Sequence, residues 1–148
     1  MKTFSTFILA VCAMAVTLAH ALAQTDSKPP DPCSLMTKAE AAAVMGEIKG
    51  EPRAKDGLRN QKCTYYNMKG AWITIEVYPA GPHWDLLKQL AIEVQDLTGL
   101  GDAAFSAKRG VDTRQVYVKK GALMVEVESS AGMEAAQKVA EIAAKRLP

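Results

Sequence analysis

Two cysteines constrain this chain more than any other feature. Cys33 opens the stretch Cys33-Ser34-Leu35-Met36-Thr37-Lys38-Ala39-Glu40, and Cys63 stands in an alternating, strand-like segment about thirty residues further on. A bond between them would tie the first helix of the domain to a strand. That bond is expected. The third cysteine, Cys12, lies inside an amino-terminal leader, which leaves an even pair in a chain bound for an oxidising compartment. A redox-active pair is the alternative, but the chain has no Cys-x-x-Cys motif.

The leader is read from Lys2, the apolar run Phe4 to Ala19, and the small-x-small ending Ala21-Leu22-Ala23. This pattern predicts a secretory signal peptide over residues 1–23, and a periplasmic or secreted protein. An uncleaved anchor is the competing reading, because Phe4 to Ala23 is long enough to span a bilayer. Cys12 follows the bulky Val11 in mid-run, which argues against lipid attachment there. Residues 24–32, Gln-Thr-Asp-Ser-Lys-Pro-Pro-Asp-Pro, are expected to form a flexible linker. Residues 33–148 form the single expected domain.

Charge narrows the functions. The formal charge of +2 falls to +1 once Lys2 leaves with the leader. Such a balance predicts neither nucleic-acid binding nor strong membrane association after cleavage.

Local patterns supply the elements. Thr37 with Glu40 forms a capping box, and Gly46 suits a helix end, so a short helix should run between them. A short edge strand is expected within Glu47 to Ala54, limited by Gly50 and Pro52. Gly70, in Asn67-Met68-Lys69-Gly70-Ala71, suits the positive-φ position of a hairpin connection. That register sets Tyr65 opposite Ile73 and Cys63 opposite Ile75, with Cys63, Tyr65, Ile73, Ile75 and Val77 on the core face. A second helix is expected over His83 to Asp96, from Trp84, Leu87, Leu90, Ala91 and Val94. A Lys120-Gly121 turn sets Val118 opposite Leu123 and Val116 opposite Val125 in a second hairpin. A last helix follows from Gly132 to Arg146, capped by Ser129 or Ser130. The expected architecture is α+β: a single antiparallel sheet with helices packed on one face, in the order αβββαβββα.

The stretch Cys33 to Glu40, with Met45-Gly46, Lys62-Cys63-Thr64-Tyr65 and Gly99-Leu100-Gly101-Asp102-Ala103-Ala104-Phe105, resembles a family of bacterial exported proteins and lipoproteins of unknown function. Its pattern begins Cys-Ser-Leu-Leu-Thr, has a second Cys-x-Tyr and later carries Gly-Leu-Gly-Asp-x-Ala-Phe. The resemblance implies a secreted α/β domain with the two cysteines paired, and it carries over no catalytic residue. This chain departs from the lipoproteins in lacking a convincing lipidated cysteine.

No reactive constellation is evident. Gly99-Leu100-Gly101 follows an expected helix and precedes a strand, the reverse of a phosphate cradle, and reads as a turn in which Gly99 ends the helix. His83 is the one histidine after the leader and reads as a helix-start residue, with no catalytic or metal-binding partners in sequence. No catalytic residue, metal ligand or cofactor is assigned. The constellation to follow is aromatic: Tyr66, Trp72 and Tyr78 on the outer sheet face, with Tyr117 and Met124 if the second hairpin continues the same sheet. Aromatic side chains among polar neighbours mark recognition surfaces. The bland alternatives are a helix or loop over that face, or cross-strand pairs that only stabilise it. The expected function is therefore a noncatalytic module binding a protein, glycan or small ligand of the cell envelope. A small hydrolase, whose carboxylates assemble only in the fold, is the runner-up.

Overall fold

The computed structural model describes residues 29–56 and 61–148; the expected signal peptide and most of the expected linker lie outside these. A single 3-10 turn, Pro32–Ser34, leads into α1, Lys38–Met45. Strands β1 (Arg53–Asp56), β2 (Gln61–Tyr66) and β3 (Trp72–Pro79) follow, then α2 (His83–Leu90). Strands β4 (Ile92–Leu97), β5 (Ala103–Arg109), β6 (Thr113–Lys120) and β7 (Leu123–Ser129) precede α3 (Met133–Arg146). The seven strands form one antiparallel sheet in the order β1-β2-β3-β7-β6-β5-β4. The fold is α+β.

Alternation within the strands selects the faces. Ile73, Ile75 and Val77 of β3, Val125 and Val127 of β7, and Val116 and Val118 of β6 bury one face against Ala136, Val139, Ala140 and Ala143 of α3. Met36, Ala41 and Ile48 close the β2 end of this core. The expected disulfide is present, with Cys33 and Cys63 joined across a Cα separation of 5.0 Å. Cys63 is fully buried opposite Ile75, as the hairpin register requires.

The amino-terminal helix is capped on both sides of its box. Glu40 N–H donates to Thr37 Oγ1 at 3.2 Å, and Thr37 N–H donates to Glu40 Oε2 at 2.8 Å. Arg146 of α3 then grips the same carboxylate at 2.7 and 2.8 Å while donating to the Leu35 carbonyl at 2.9 Å. The Arg146 hydrogen bonds, aided by those from Thr37, hold the Glu40 carboxyl down at about 2.

Five expectations are corrected. The second helix stops at Leu90, and Ile92–Leu97 is a strand, so four strands rather than three follow it. Pairing with β4 satisfies backbone groups of β5 that a longer helix would leave bare. Helices also lie on both faces, not one. α1 and α3 share the first core, whereas Trp84, Leu87 and Ala91 of the α2 segment pack on Phe105, Ala107 and Tyr117 of the second face. Those three residues form an apolar strip that needs cover.

The third correction concerns the second hairpin, where Val118 faces Val125 and Val116 faces Val127, two residues from the expected register. The loop is Gly121-Ala122, with Gly121 at φ 58° and its N–H donating to Asp102 Oδ2 at 2.6 Å. Lys120 thereby stays in β6 and its ammonium reaches the Ala144 and Leu147 carbonyls, where the helix dipole favours a cation. A shift of two preserves the faces. Fourth, α3 is preceded by Gly132 with no side-chain cap. Ser130 Oγ instead accepts from the Trp72 N–H at 2.8 Å, and Ser129 Oγ accepts from the Ala131 N–H at 3.0 Å. Gly99 likewise follows a strand, not a helix.

Candidate functional site

The second face of the sheet carries the candidate residues because each strand presents every other side chain there. Registers fix two rows across it, with a pair beyond each. Arg53, Thr64, Thr74, Glu128 and Gln115 form one, and Lys62, Glu76, Glu126, Tyr117 and Phe105 form the next. Tyr66 and Trp72 are cross-strand partners beyond the first row, while Tyr78 and Met124 pair beyond the second.

All four aromatic candidates therefore share the face, but not the same surroundings. Tyr66 and Trp72 are half-buried, and the Arg53 guanidinium lies 5.3 Å from the centroid of the Tyr66 ring, within cation-π range. Tyr117 is buried. It stacks on Phe105 with centroids 4.6 Å apart, and Trp84 of α2 meets Phe105 edge-on at 5.1 Å. Tyr78 lies between these ends, half-buried, where its hydroxyl enters a carboxyl network.

That network is the feature the sequence pattern did not single out. Glu76 and Glu126 stand directly opposite on β3 and β7, an arrangement that is unfavourable for two anions. Tyr78 Oη lies 2.5 Å from Glu76 Oε2 and 2.8 Å from Glu126 Oε2. A phenol has one hydrogen, so both contacts are hydrogen bonds only when one carboxyl carries a proton. Glu76 is ion-paired to Lys62 and Glu128 to Arg109, which leaves Glu126 as the acid. Its other oxygen, Oε1, accepts from Gln115 Nε2 at 2.7 Å and from the Tyr117 hydroxyl at 3.1 Å.

With Glu126 neutral, its proton is donated to Tyr78, and Tyr78 donates to Glu76. Every group then has a partner, and the cluster of three carboxyls and two cations carries no net charge. Burial pushes the Glu126 carboxyl up, the neighbouring Glu128 and Glu76 push the same way, and hydrogen bonding with Tyr78 and Tyr117 only partly opposes them. The Tyr78 and Tyr117 phenols are likewise raised, first by burial and then by Glu126.

A neutral buried Glu126 has a consequence for stability against pH. A carboxyl whose folded pKa is raised contributes stability that is complete below its unfolded value of 4.5 and lost as pH rises through the folded value. Glu126→Gln places an amide N–H where the acid O–H stood, so its melting temperature should stay level from pH 5 to pH 9 relative to wild type, which declines. Glu126→Ala strands Tyr78, Tyr117 and Gln115 and should cost about 2 to 3 kcal/mol at neutral pH. Parallel melting curves across pH check both, and an equal slope for wild type and Glu126→Gln would place the proton elsewhere.

Between α2 and the sheet lies a cleft of about 370 Å³ lined by Tyr78, Pro79, His83, Leu86, Leu87, Leu90, Met124 and Glu126. It brings the candidate Tyr78 together with the acid and with His83, which reads from sequence as a helix-start residue, and its lining leaves out Tyr66, Trp72 and Tyr117. A larger, more polar groove of about 690 Å³ runs on the first face between α3 and the Thr98–Gly101 turn, with Gln95, Gln137, Glu141 and Lys145 among its lining. Among the described residues no three His, Cys, Asp or Glu side chains are grouped to hold a metal. No helix among them is long and apolar enough to cross a membrane.

Glu76 and Glu126 were visible as carboxylates within otherwise apolar strands, Ile73-Thr74-Ile75-Glu76-Val77 and Leu123-Met124-Val125-Glu126-Val127. Acidic side chains in a central strand are rarely buried without partners. Their meeting across β3 and β7 depends on a strand pairing between distant segments.

No family model matches the chain, and no curated protein matches its sequence. A crystal structure of a GTP binding regulator from Thermotoga maritima is similar in backbone, at 15% identity and a TM-score of 0.49, over 80% of this chain and 95% of that one. A likeness at this level bears on no functional assignment.

Proposed function

We propose that this is an exported, noncatalytic binding module of the periplasm or secreted fraction, which recognises an envelope protein, glycan or small ligand through the face carrying Tyr66, Trp72, Tyr78 and Tyr117. One observation carries the reading. The α2 contacts stop at Phe105, Ala107 and Tyr117, and the β2–β3 half of the same face presents the half-buried Tyr66 and Trp72 beside Arg53. Aromatic rings flanked by arginine make strong anchors for a partner. Tyr117 then acts as the buried support of the face, and Tyr78 as its middle. The disulfide and the motif resemblance support export, since such bonds persist in oxidising compartments.

The expected result is specific. Tyr66→Ala and Trp72→Ala, each with an unchanged melting temperature, should reduce at least tenfold the capture of whichever envelope component wild type retains, an effect of about 1.4 kcal/mol or more per anchor. Capture unchanged in both variants would rule out this surface.

A second reading, a small hydrolase, gains from the Glu76–Tyr78–Glu126 arrangement, because a neutral buried carboxyl is a competent general acid. Only Glu126 of the pair lines the cleft, and its one proton is already committed to Tyr78 within the network. Hydrolysis lost in Glu126→Gln but kept in Trp72→Ala would favour the enzyme.

A further inference from the structure

The cleft beneath α2 has a chemical character that points to its occupant. Its apolar lining is Leu86, Leu87, Leu90, Pro79 and Met124, with His83 at the start of α2, and Leu86 and Leu90 remain 51% and 71% exposed. Leucines left this open beside a cavity form an apolar lining that water solvates poorly. The floor is Tyr78 and Glu126.

Charge decides what can enter. Proton counting makes Glu126 a neutral acid, Lys62 neutralises Glu76, and Arg109 neutralises Glu128. An ammonium would lose its hydration in the cleft without meeting an opposite charge, and a carboxylate would find only the solvent-exposed His83 imidazole at the rim. The hydrogens of Tyr78 and Glu126 are also committed inside the network, which leaves the floor only lone pairs to offer. A ligand polar group that donates a hydrogen bond is therefore the one the floor can meet. The volume, about 370 Å³, lies near the lower end of the range for small-molecule sites, enough for one or two rings.

We propose that the cleft between α2 and the sheet binds a small, uncharged, mainly hydrocarbon molecule, a ring system or short chain bearing at most one hydroxyl group. This goes beyond the reading above, because Tyr66 and Trp72 lie outside the cleft and the two sites share only Tyr78. α2 acts as its wall, and Met124, itself fully buried, lies beneath the ligand.

The test uses three probes with one ring body: 1-naphthalenemethanol, 1-naphthylmethylammonium and 1-naphthoate, titrated into the full domain and followed by methyl NMR. The alcohol should give saturable, one-to-one shifts at the Leu86, Leu87, Leu90 and Met124 methyls, with affinity about tenfold or more above both ions. Leu86→Trp and Leu90→Trp, at exposed positions where the fold is undisturbed, should each obstruct the cleft and remove those shifts. Trp72→Ala should leave them intact, so this site and the aromatic face can fail separately. Non-saturating shifts, saturation at other residues, equal or tighter binding of either ion, or wild-type affinity in both tryptophan variants would each overturn the proposal.

Discussion

Replacing both Cys33 and Cys63 with alanine should lower the unfolding free energy by about 3 to 4 kcal/mol, the loss expected when a loop of about thirty residues is no longer closed in the unfolded chain. The number is large for a local reason. α1 has eight residues, too few to persist without support, and the disulfide holds its approach segment against β2. Arg146 binds Leu35 and Glu40 from the other side, but its contacts form only when α3 has already docked. Urea unfolding of wild type with and without reductant, beside the double variant, measures the effect. A change below 1 kcal/mol would mean that the packing of Leu35, Met36 and Ala41 holds this corner unaided.

The second large effect is expected at Gly101, in the turn between β4 and β5. A β-carbon there would lie 2.4 Å from the Lys119 carbonyl oxygen and 2.8 Å from Val118 Cγ1, on a backbone with φ of +56°. Backbone cannot yield as a flexible side chain does. The same carbonyl accepts the Asp102 N–H at 2.8 Å, and Asp102 in turn receives Gly121 N–H, so displacement would disturb both hairpin ends. Gly101→Ala should cost about 3 kcal/mol or more, combining overpacking with left-handed strain. Gly99 is the control. It has φ of +78° but open space, so Gly99→Ala should cost only about 1 kcal/mol. Equal losses in denaturant titrations of the two variants would show that conformation alone matters at this turn.

Short-range patterns and long-range strand pairing contributed differently to what this chain's sequence disclosed. Local chemistry was legible: the Thr37–Glu40 box, the hairpin from Tyr66 to Trp72, and the placement of Cys63, Tyr65, Ile73, Ile75 and Val77 on one buried face all follow from short-range patterns, whereas β3, β6 and β7 are buried on the other face as well. The strand β4 was hidden because Leu87, Leu90, Ala91 and Val94 recur at helical spacing, a pattern that runs on past the end of α2 at Leu90. Glu93, at φ 54°, then inserts an irregularity between Ile92 and Gln95 that breaks the alternation. The two-residue offset of the β6–β7 register escaped because it leaves every side chain on its expected face.

The site divides in the same way. Placing Tyr66, Trp72, Tyr78 and Tyr117 on one face needed only strand alternation and one continuous sheet. The burial of Tyr117 under α2, and the meeting of Glu76 with Glu126, depend on which strands become neighbours. Strand order is a property of the whole chain, and no window of residues around Glu76 contains it.

The β3–β7 seam has a kinetic consequence. Its paired residues, from Ile73 with Ser129 to Pro79 with Leu123, are roughly fifty positions apart, and joining them closes the largest loop between neighbouring strands of the sheet. Hairpins on either side can zip locally on a microsecond scale, whereas the seam must wait for two preassembled ribbons to find each other. Until it does, Glu126 has no Tyr78 to meet and remains an ordinary solvated carboxylate. The uptake of one proton on joining would therefore mark the moment at which the two ribbons become a single sheet.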